Sequence, residues 1–384
     1  MRVRGERSTM NSKARELQPC TAERFFSHYI GRDACLTSSC RSAIYLAIRA
    51  LKLQGEIITS PLICDTALFP FLALGVKLCF ADIDPATLNL DPEKVNEAIS
   101  TRTAGILVSH LAGNPSDMKT ITELTHDHRI RIIEDCAQGF NAEYDGKMVG
   151  TFGDLSCFSL WKPPTNCGGG LVCASTEEIE SIKLLQRRLQ RVPLWNRLIS
   201  SWKRTRTLVI DSRRALHGLL RRTPMRLIRD PKYVIIRLSP YIFQPYASLE
   251  MEAGRKLQAA INGNLMDRYT SLGQQIHEKL ESRGIRVQIT TKKARRVFTR
   301  CIFLADRAGS QIVGELLERG VHAFQIAQGF QSRMDKHPYF KGFDSIRKCR
   351  NYLELHDWVV SLPVSFDMTR DRIDFIVNQI CDLL

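Results

Sequence analysis

Between Ser42 and Asp135 short apolar runs alternate with amphipathic stretches of about a dozen residues, and this rhythm restricts the fold more than any other feature. Residues 42–54 repeat apolar side chains at helical spacing and stop at Gly55. Glu56-Ile57-Ile58-Thr59 reads as a strand, 65–74 as a helix, 77–81 as a strand and 91–99 as a helix. Residues 105–109 predict a buried strand, a helix opens at Ser116 or Asp117 and runs through His128, and 129–133 predict the next strand. Strands separated by helices pair in parallel, because a hairpin cannot join them. The expected fold class is therefore α/β, with a mainly parallel central sheet flanked by helices on both faces. In such sheets ligands gather outside the carboxyl ends of the strands. His110, after Ile106–Ser109, and Asp135, after Ile132-Ile133, fall at two of those ends.

After Ala174 the sequence turns basic and helix-like, broken by Pro193, Pro224, Pro231 and Pro240. A long helical stretch is expected from about Ser248 to Arg283, followed by a strand over 297–304 and helices over 311–319 and 370–383. The expected organisation is a mobile polar arm (1–18), a large α/β domain (19–180), a basic helical insert (181–240) and a smaller C-terminal α+β domain (241–384).

The net charge of +15 is concentrated in one place: Lys183 to Arg237 holds sixteen lysines and arginines against Asp211 and Asp230 alone. The segment reads either as a solvated helical pair packed on the main domain, or as an interfacial helix or rim that attracts an anionic substrate or acidic lipid headgroups. The second reading predicts peripheral contact with the inner face of a membrane. No nucleic-acid motif accompanies the charge, so a nucleic-acid partner is not expected. Leu62 to Val76, the longest apolar stretch, is interrupted by Asp65 and Pro70 and is too short to span a bilayer. Met1 to Gln18 lacks the apolar run of a secretory signal. The twelve cysteines contain no Cys-x-x-Cys pair and read as reduced thiols, which points to a cytoplasmic setting. His126 and His128 do not share a helix face, so no metal site is expected there.

Six ordered motifs carry a resemblance. They are Ser39-Cys40-Arg41-Ser42-Ala43-Ile44, the segment Phe80 to Asp91, Ser109 to Met118 with His110-Leu111-Ala112-Gly113, Glu134-Asp135-Cys136-Ala137-Gln138, Val149 to Asp154, and Leu362-Pro363-Val364. Together they make the chain similar to the DegT/DnrJ/EryC1/StrS family of sugar aminotransferases, enzymes of fold type I that use pyridoxal 5'-phosphate (PLP). The similarity runs along most of the chain except roughly 180–240. The spacing from Lys162 to the Gly169-Gly170 pair equals the family's spacing from its cofactor-binding lysine.

The resemblance implies that Lys162 binds the cofactor aldehyde and shuttles a proton, and that Asp135 keeps the pyridinium nitrogen protonated. Gln138 is then expected near the phenolic oxygen, and Cys40, Arg41 and Ser42 at the phosphate, where a helix N-terminus favours an anion. Ser159 or Ser156 takes the place of the family's serine ahead of the lysine, and His110 is expected toward the substrate. The implied reaction moves an amino group from glutamate to a keto-sugar carried on a nucleotide, in surface polysaccharide or glycoconjugate biosynthesis, by a homodimer. The alternative is a divergent member that dehydrates a sugar or serves as a membrane-associated scaffold; the dehydrating branch carries histidine in place of the lysine. Read without the family, Lys162 is a surface lysine before Pro163-Pro164, and Asp135 is a helix N-cap with Gln138 in a capping box.

Three departures stand out. Gly168 replaces a glutamate, and Leu62-Ile63-Cys64-Asp65 offers no aromatic ring to stack on the cofactor. The Asn-x-Arg motif that reaches a neighbouring subunit is absent near Tyr246 to Glu252.

Overall fold

A computed structural model describes residues 21–126, 130–163, 165–191, 243–244, 247–326 and 344–384. The expected arm (1–18) and residues 192–237 of the basic segment lie outside the described residues, as does His128.

The chain opens with helix α1 (Ala22–Ile30), strand β1 (Asp33–Thr37), helix α2 (Cys40–Ala50) and strand β2 (Glu56–Thr59). Helix α3 (Asp65–Ala73), strand β3 (Lys77–Phe80), helix α4 (Pro92–Ala98), strand β4 (Thr103–Ser109), helix α5 (Met118–His126) and strand β5 (Arg131–Asp135) follow. A short hairpin, β6 (Glu143–Tyr144) and β7 (Lys147–Met148), precedes β8 (Leu155–Ser159), β9 (Gly170–Ala174) and helix α6 (Thr176–Arg187). Seven of these strands form one sheet in the order β1-β9-β8-β5-β4-β2-β3, with β9 alone running against the rest. The mainly parallel α/β sheet is as expected. Apolar strands such as Gly105 to Val108 are buried because helices cover both faces.

Register decides what meets at the sheet's carboxyl edge. Ser109 pairs with Asp135, and Asp135 with Cys157, so β4, β5 and β8 end nearly level. The strand expected over 129–133 runs instead from Arg131 to Asp135, which puts Glu134 and Asp135 inside the ladder and not beyond it.

Beyond α6, helix α7 (Ala247–Asn262) and helix α8 (Leu265–Glu281) replace the single long helix expected from 248 to 283. Gly263 and Asn264 break it: Asn264 takes a left-handed φ of 50°, which asparagine tolerates better than most residues. The break redirects the chain. Leu249, Ala253, Leu257 and Ile261 of α7 share an apolar cluster with Phe25 and Phe26 of α1 and with Phe158 and Leu171 of the sheet. Each fully buried leucine, isoleucine or phenylalanine among them contributes roughly 1.5–3 kcal/mol.

Strand β10 (Ala294–Arg295) then joins the β6–β7 hairpin, and β11 (Arg300–Leu304) begins the C-terminal unit. Helix α9 (Gly309–Glu318), β12 (Phe324–Gln325), helix α10 (Arg350–Leu355), β13 (Val359–Pro363) and helix α11 (Arg370–Cys381) complete it. Its antiparallel sheet has the order β11-β13-β12. Tyr269 and Ile276 of α8, Ile312 of α9 and Ile373 and Val377 of α11 pack with Phe303 and Val360 of that sheet.

A polar clasp fastens the 288–297 segment, which leads into the C-terminal unit, to the loops after β3 and β4. Asn114 donates through Nδ2 to the Ile289 carbonyl (2.9 Å) and accepts the Thr291 amide (3.0 Å). Gln288 Nε2 donates to the Thr87 carbonyl (2.7 Å), and the Val297 amide donates to the Gly113 carbonyl (3.0 Å). Gly113 has φ +79°, and a Cβ there would lie 1.8 Å from the Val297 oxygen, so only glycine permits the approach. Asp82 adds a second tie by accepting the amides of Asn351 (2.8 Å) and Tyr352 (2.9 Å) in the first turn of α10.

Candidate active site

A cavity of about 270 Å³ opens at the carboxyl edge of the sheet, close to the lower size range of small-molecule sites. Among its walls are Cys40, Arg41, His110, Asp135, Gln138, Ser159 and Lys162. Residues far apart in sequence meet here because parallel strands deliver their ends to one side.

Asp135, the last residue of β5, is 7% exposed. One carboxylate oxygen accepts the Ala137 amide (3.0 Å) and a weak contact from the Cys40 thiol (3.9 Å). The other oxygen has no hydrogen bond among the described residues. Burial raises the carboxyl's pKa, opposed by the Ala137 amide, by the neighbouring His110 ring and by the Lys162 amine. Lys162 follows the end of β8, where Leu160 is anchored by amide–carbonyl bonds with Gly169 and Cys167. Burial, and after it the charge of Arg300, hold its amine below the usual lysine range, while Cys64 and Asp135 pull the other way. An amine so placed loses its proton more readily than one in water.

The start of α2 forms another wall. Ser39 caps the helix, its Oγ accepting the Ser42 amide (3.1 Å). Cys40 and Arg41 line the cavity. Ser42 does not: besides the capped amide, its hydroxyl lies 2.7 Å from Ser38 Oγ and 3.0 Å from Ser39 Oγ, and Ser42 itself is buried. Gly170 lies against this turn; a Cβ there would come 2.4 Å from the Cys40 nitrogen and 2.5 Å from the Ser39 carbonyl carbon. The glycine loop thus supports the helix start from behind.

Of the two serines, Ser159 lines the cavity, whereas Ser156 is fully buried and donates to the Gly150 carbonyl (2.9 Å). Strand alternation puts residues three apart on opposite faces of β8. Gln138 borders the cavity, with its Oε1 fixed by the Ala112 amide (2.7 Å). His110 borders it too, but both ring nitrogens are engaged. Nδ1 accepts the Ser116 amide (3.1 Å), which leaves the hydrogen on Nε2, facing Glu134 Oε2 at 3.3 Å. Its ring, 1% exposed, therefore offers the cavity a surface and not a spare hydrogen bond.

Glu134 also accepts the amides of Gly150 (2.7 Å), Phe152 (2.9 Å) and Gly153 (2.7 Å). Burial would raise its pKa, but hydrogen bonds from His110 and from the Gly153 and Gly150 amides reverse that and hold it below the usual glutamate value. His110, Glu134 and Cys136 come close enough to one another to suggest a metal cluster, yet the imidazole and carboxylate are already saturated by protein donors.

Sequence reasoning gave no role to several neighbours. Ile63, Cys64, Thr66 and Ala67 form the wall where an aromatic ring was missing, and Trp161, 42% exposed, stands beside Lys162. Arg300 of β11 exerts its charge on Lys162 from the C-terminal unit, and no local pattern marks it. All eleven described cysteines are free.

Residues 17–197 match the model of the DegT/DnrJ/EryC1/StrS aminotransferase family. That match takes in a little under half of the chain, and it is residues 17–197 that are similar to this family. The match stops at residue 197, short of the C-terminal similarity expected around Leu362-Pro363-Val364. The chain is 32% identical over 188 residues to the spore coat polysaccharide biosynthesis protein SpsC of Bacillus subtilis, covering 47% of this chain and 48% of that one. It is 33% identical over 189 residues to a GDP-4-keto-6-deoxy-D-mannose 3-dehydratase of Yersinia pseudotuberculosis (47% of each). It is 34% identical over 171 residues to a dTDP-3-amino-3,6-dideoxy-alpha-D-galactopyranose transaminase of Aneurinibacillus thermoaerophilus (43% and 47%). The chain thus spans about half the length of the curated relatives it matches. The likeness of fold reaches further: a Streptococcus pneumoniae protein solved in a PLP form superposes with a TM-score of 0.74 at 16% identity, over 98% of this chain and 95% of that one.

The site fits PLP by its own chemistry. It combines an amine of lowered basicity, a buried carboxylate with one oxygen unengaged among the described residues, and a helix start, all on one cavity.

Proposed function

We propose that the chain is a PLP-dependent aminotransferase that moves an amino group from glutamate to a keto-sugar carried on a nucleotide, for surface polysaccharide or glycoconjugate assembly. The observation that carries this reading is the convergence of Lys162 and Asp135 on one cavity beside the first turn of α2. When bound, PLP supplies an electron sink for breaking a bond at the amino-bearing carbon.

The chain's own residues do the rest. Lys162 Nζ would hold the cofactor's aldehyde and, as a free amine of lowered basicity, would carry the proton that leaves the donor's amino-bearing carbon. Asp135 would keep a proton on the ring nitrogen through its unengaged oxygen. The α2 start, with Cys40 and Arg41, would hold the phosphate, and Ser159 and Gln138 would border the ring. Ser42 acts from behind as part of the cap, and Ser156 braces the Gly150 turn. His110 orients the loop that carries Leu111 and Ala112. Support for a nucleotide-sugar substrate comes from the names of the transaminase and dehydratase relatives, and for polysaccharide from that of the spore-coat protein. An amine at position 162 favours amino transfer over dehydration. A homodimer is part of the proposal, checked by light scattering. No described helix is long and apolar enough to cross a membrane, and contact through 183–237 is tested by vesicle sedimentation.

The test is spectroscopic and then chemical. Adding PLP to the purified chain is expected to give an absorbance band that Lys162→Ala abolishes. A panel of keto-sugar nucleotides with glutamate is expected to release 2-oxoglutarate. No band and no turnover would end the proposal.

A further inference from the structure

Trp161 belongs to the lining of the cavity and is nevertheless 42% exposed. An indole left this open forgoes much of the burial energy that a ring of its size carries. The loop that holds it is closed at two points. The Leu160 amide donates to the Gly169 carbonyl (3.1 Å), and the Leu160 carbonyl accepts the amides of Cys167 (2.9 Å) and Gly168 (3.2 Å). Two residues on, the Lys162 carbonyl accepts the amides of Thr165 and Asn166, both at 3.2 Å. Trp161 lies between these anchors, which fix its backbone together with that of Lys162.

The side chain has a seat of its own. A methyl group built on Gly168, which has φ +91°, would lie 3.2 Å from Cζ2 of the indole, 3.3 Å from Cε2 and 3.7 Å from Cη2. Near-equal distances to three consecutive ring atoms put that point over the flat of the ring and not at its rim. Gly168 therefore backs one face of Trp161, and the exposed area belongs to the opposite face and the rim. The glutamate that the resemblance implies at 168 would press its Cβ into this seat and strain a left-handed backbone. Glycine and tryptophan thus form one joint departure: the side chain lost at 168 makes room for a flat ring beside the lysine.

We infer that Trp161 is the platform on which the acceptor's sugar ring lies, a specificity-determining residue; this rests on the aminotransferase reading of the site. The carbon that receives the amino group must come to the Lys162 amine, so the ring containing it lies against whatever flanks that lysine. Trp161 is the next residue in the chain, its Cα about 3.8 Å away. A pyranose presents a face of C–H bonds, and the electron-rich, apolar face of an indole is the surface such hydrogens meet best. The nucleobase is flat too, but a ribose and two phosphates separate it from the reacting carbon. Glutamate, slender and doubly anionic, has no broad face to lay on a ring. With Gly168 behind it and the loop anchored on both sides, the platform is already ordered, so little freedom is lost on binding.

The test is calorimetric titration of the full chain, with PLP present, by UDP-N-acetylglucosamine, dTDP-glucose and GDP-mannose, each against its bare nucleotide. These sugars carry no keto group, so binding is read apart from turnover. Wild type is expected to bind at least one sugar nucleotide more tightly than the nucleotide alone. Trp161→Ala is expected to weaken that sugar nucleotide about 10-fold and to leave the affinities of the bare nucleotide and of PLP unchanged. Trp161→Phe, which keeps a flat ring, should retain most of the gain, and Trp161→Leu, apolar without a ring, should not. A wild type that gains nothing from any of the three sugars overturns the inference. So does an equal loss of nucleotide and sugar nucleotide in Trp161→Ala, which would mark a base platform, a parallel loss of PLP, or a leucine as good as phenylalanine. The aminotransferase reading fails separately, through the PLP band and its dependence on Lys162.

Discussion

Glu134→Gln probes the ground on which the site stands. The wild-type carboxylate receives three amides and one imidazole N–H, with no contact to solvent. Glutamine keeps the shape and one oxygen, which still accepts Phe152 and Gly153. The new NH2 group, however, faces two donors, Gly150 N–H and His110 Nε2–H. Each hydrogen bond to a charged acceptor contributes about 1.5–3 kcal/mol, and the shared network makes the losses less than additive. The expected cost is therefore about 3 kcal/mol at neutral pH, measured by urea unfolding. The pH dependence sharpens the test. The folded pKa of Glu134 is depressed below its ordinary 4.5, so its stabilisation is fully present above that value and is lost as pH falls through the folded pKa. The lead of wild type over Glu134→Gln should be widest at pH 7 and shrink below about pH 4.5. An equal lead at both pH values, or no lead at pH 7, would refute this account of the buried carboxylate.

Three further outcomes are expected. Asp135→Asn keeps the acceptor for Ala137 but not the charge, and should retain the PLP absorbance band while amino transfer falls by roughly 100-fold in single-turnover kinetics. Gly170→Ala drives a methyl group into the backbone of Ser39 and Cys40, so PLP affinity should drop at least about 10-fold with about 2 kcal/mol of stability, read by titration and urea unfolding. Arg300→Gln removes a positive neighbour of Lys162 and raises its amine pKa; the amine then stays protonated to higher pH, and the acid limb of PLP capture should move upward in a pH series.

Much of the site was legible because parallel strands place their carboxyl ends together. His110 follows β4 and Asp135 ends β5, and the apolar runs of those strands point to both, whereas Ser159 at the end of β8 came only through the family resemblance. The choice between Ser159 and Ser156 was not legible, since it depends on which face of β8 looks outward. Nor was the role of Ser42, whose amide is consumed by a cap that Ser39 provides. The split between α7 and α8 was hidden because Gly263-Asn264 interrupts a pattern that stays helical on both sides. Arg300 had no sequence signal: its influence on Lys162 depends on tertiary packing.

The clasp between Asn114 and the 288–297 segment has a consequence for exchanging halves between relatives. Gly113 and Leu111 belong to the loop that walls the cavity, so a transplanted C-terminal half inherits control over the cavity's shape. A graft must bring a glutamine at 288 and a backbone that meets Asn114 at 289 and 291. Chimeras that respect only the apolar seam would fold around a wall set at the wrong height, and their donor preference would drift even though every residue inside the cavity was native.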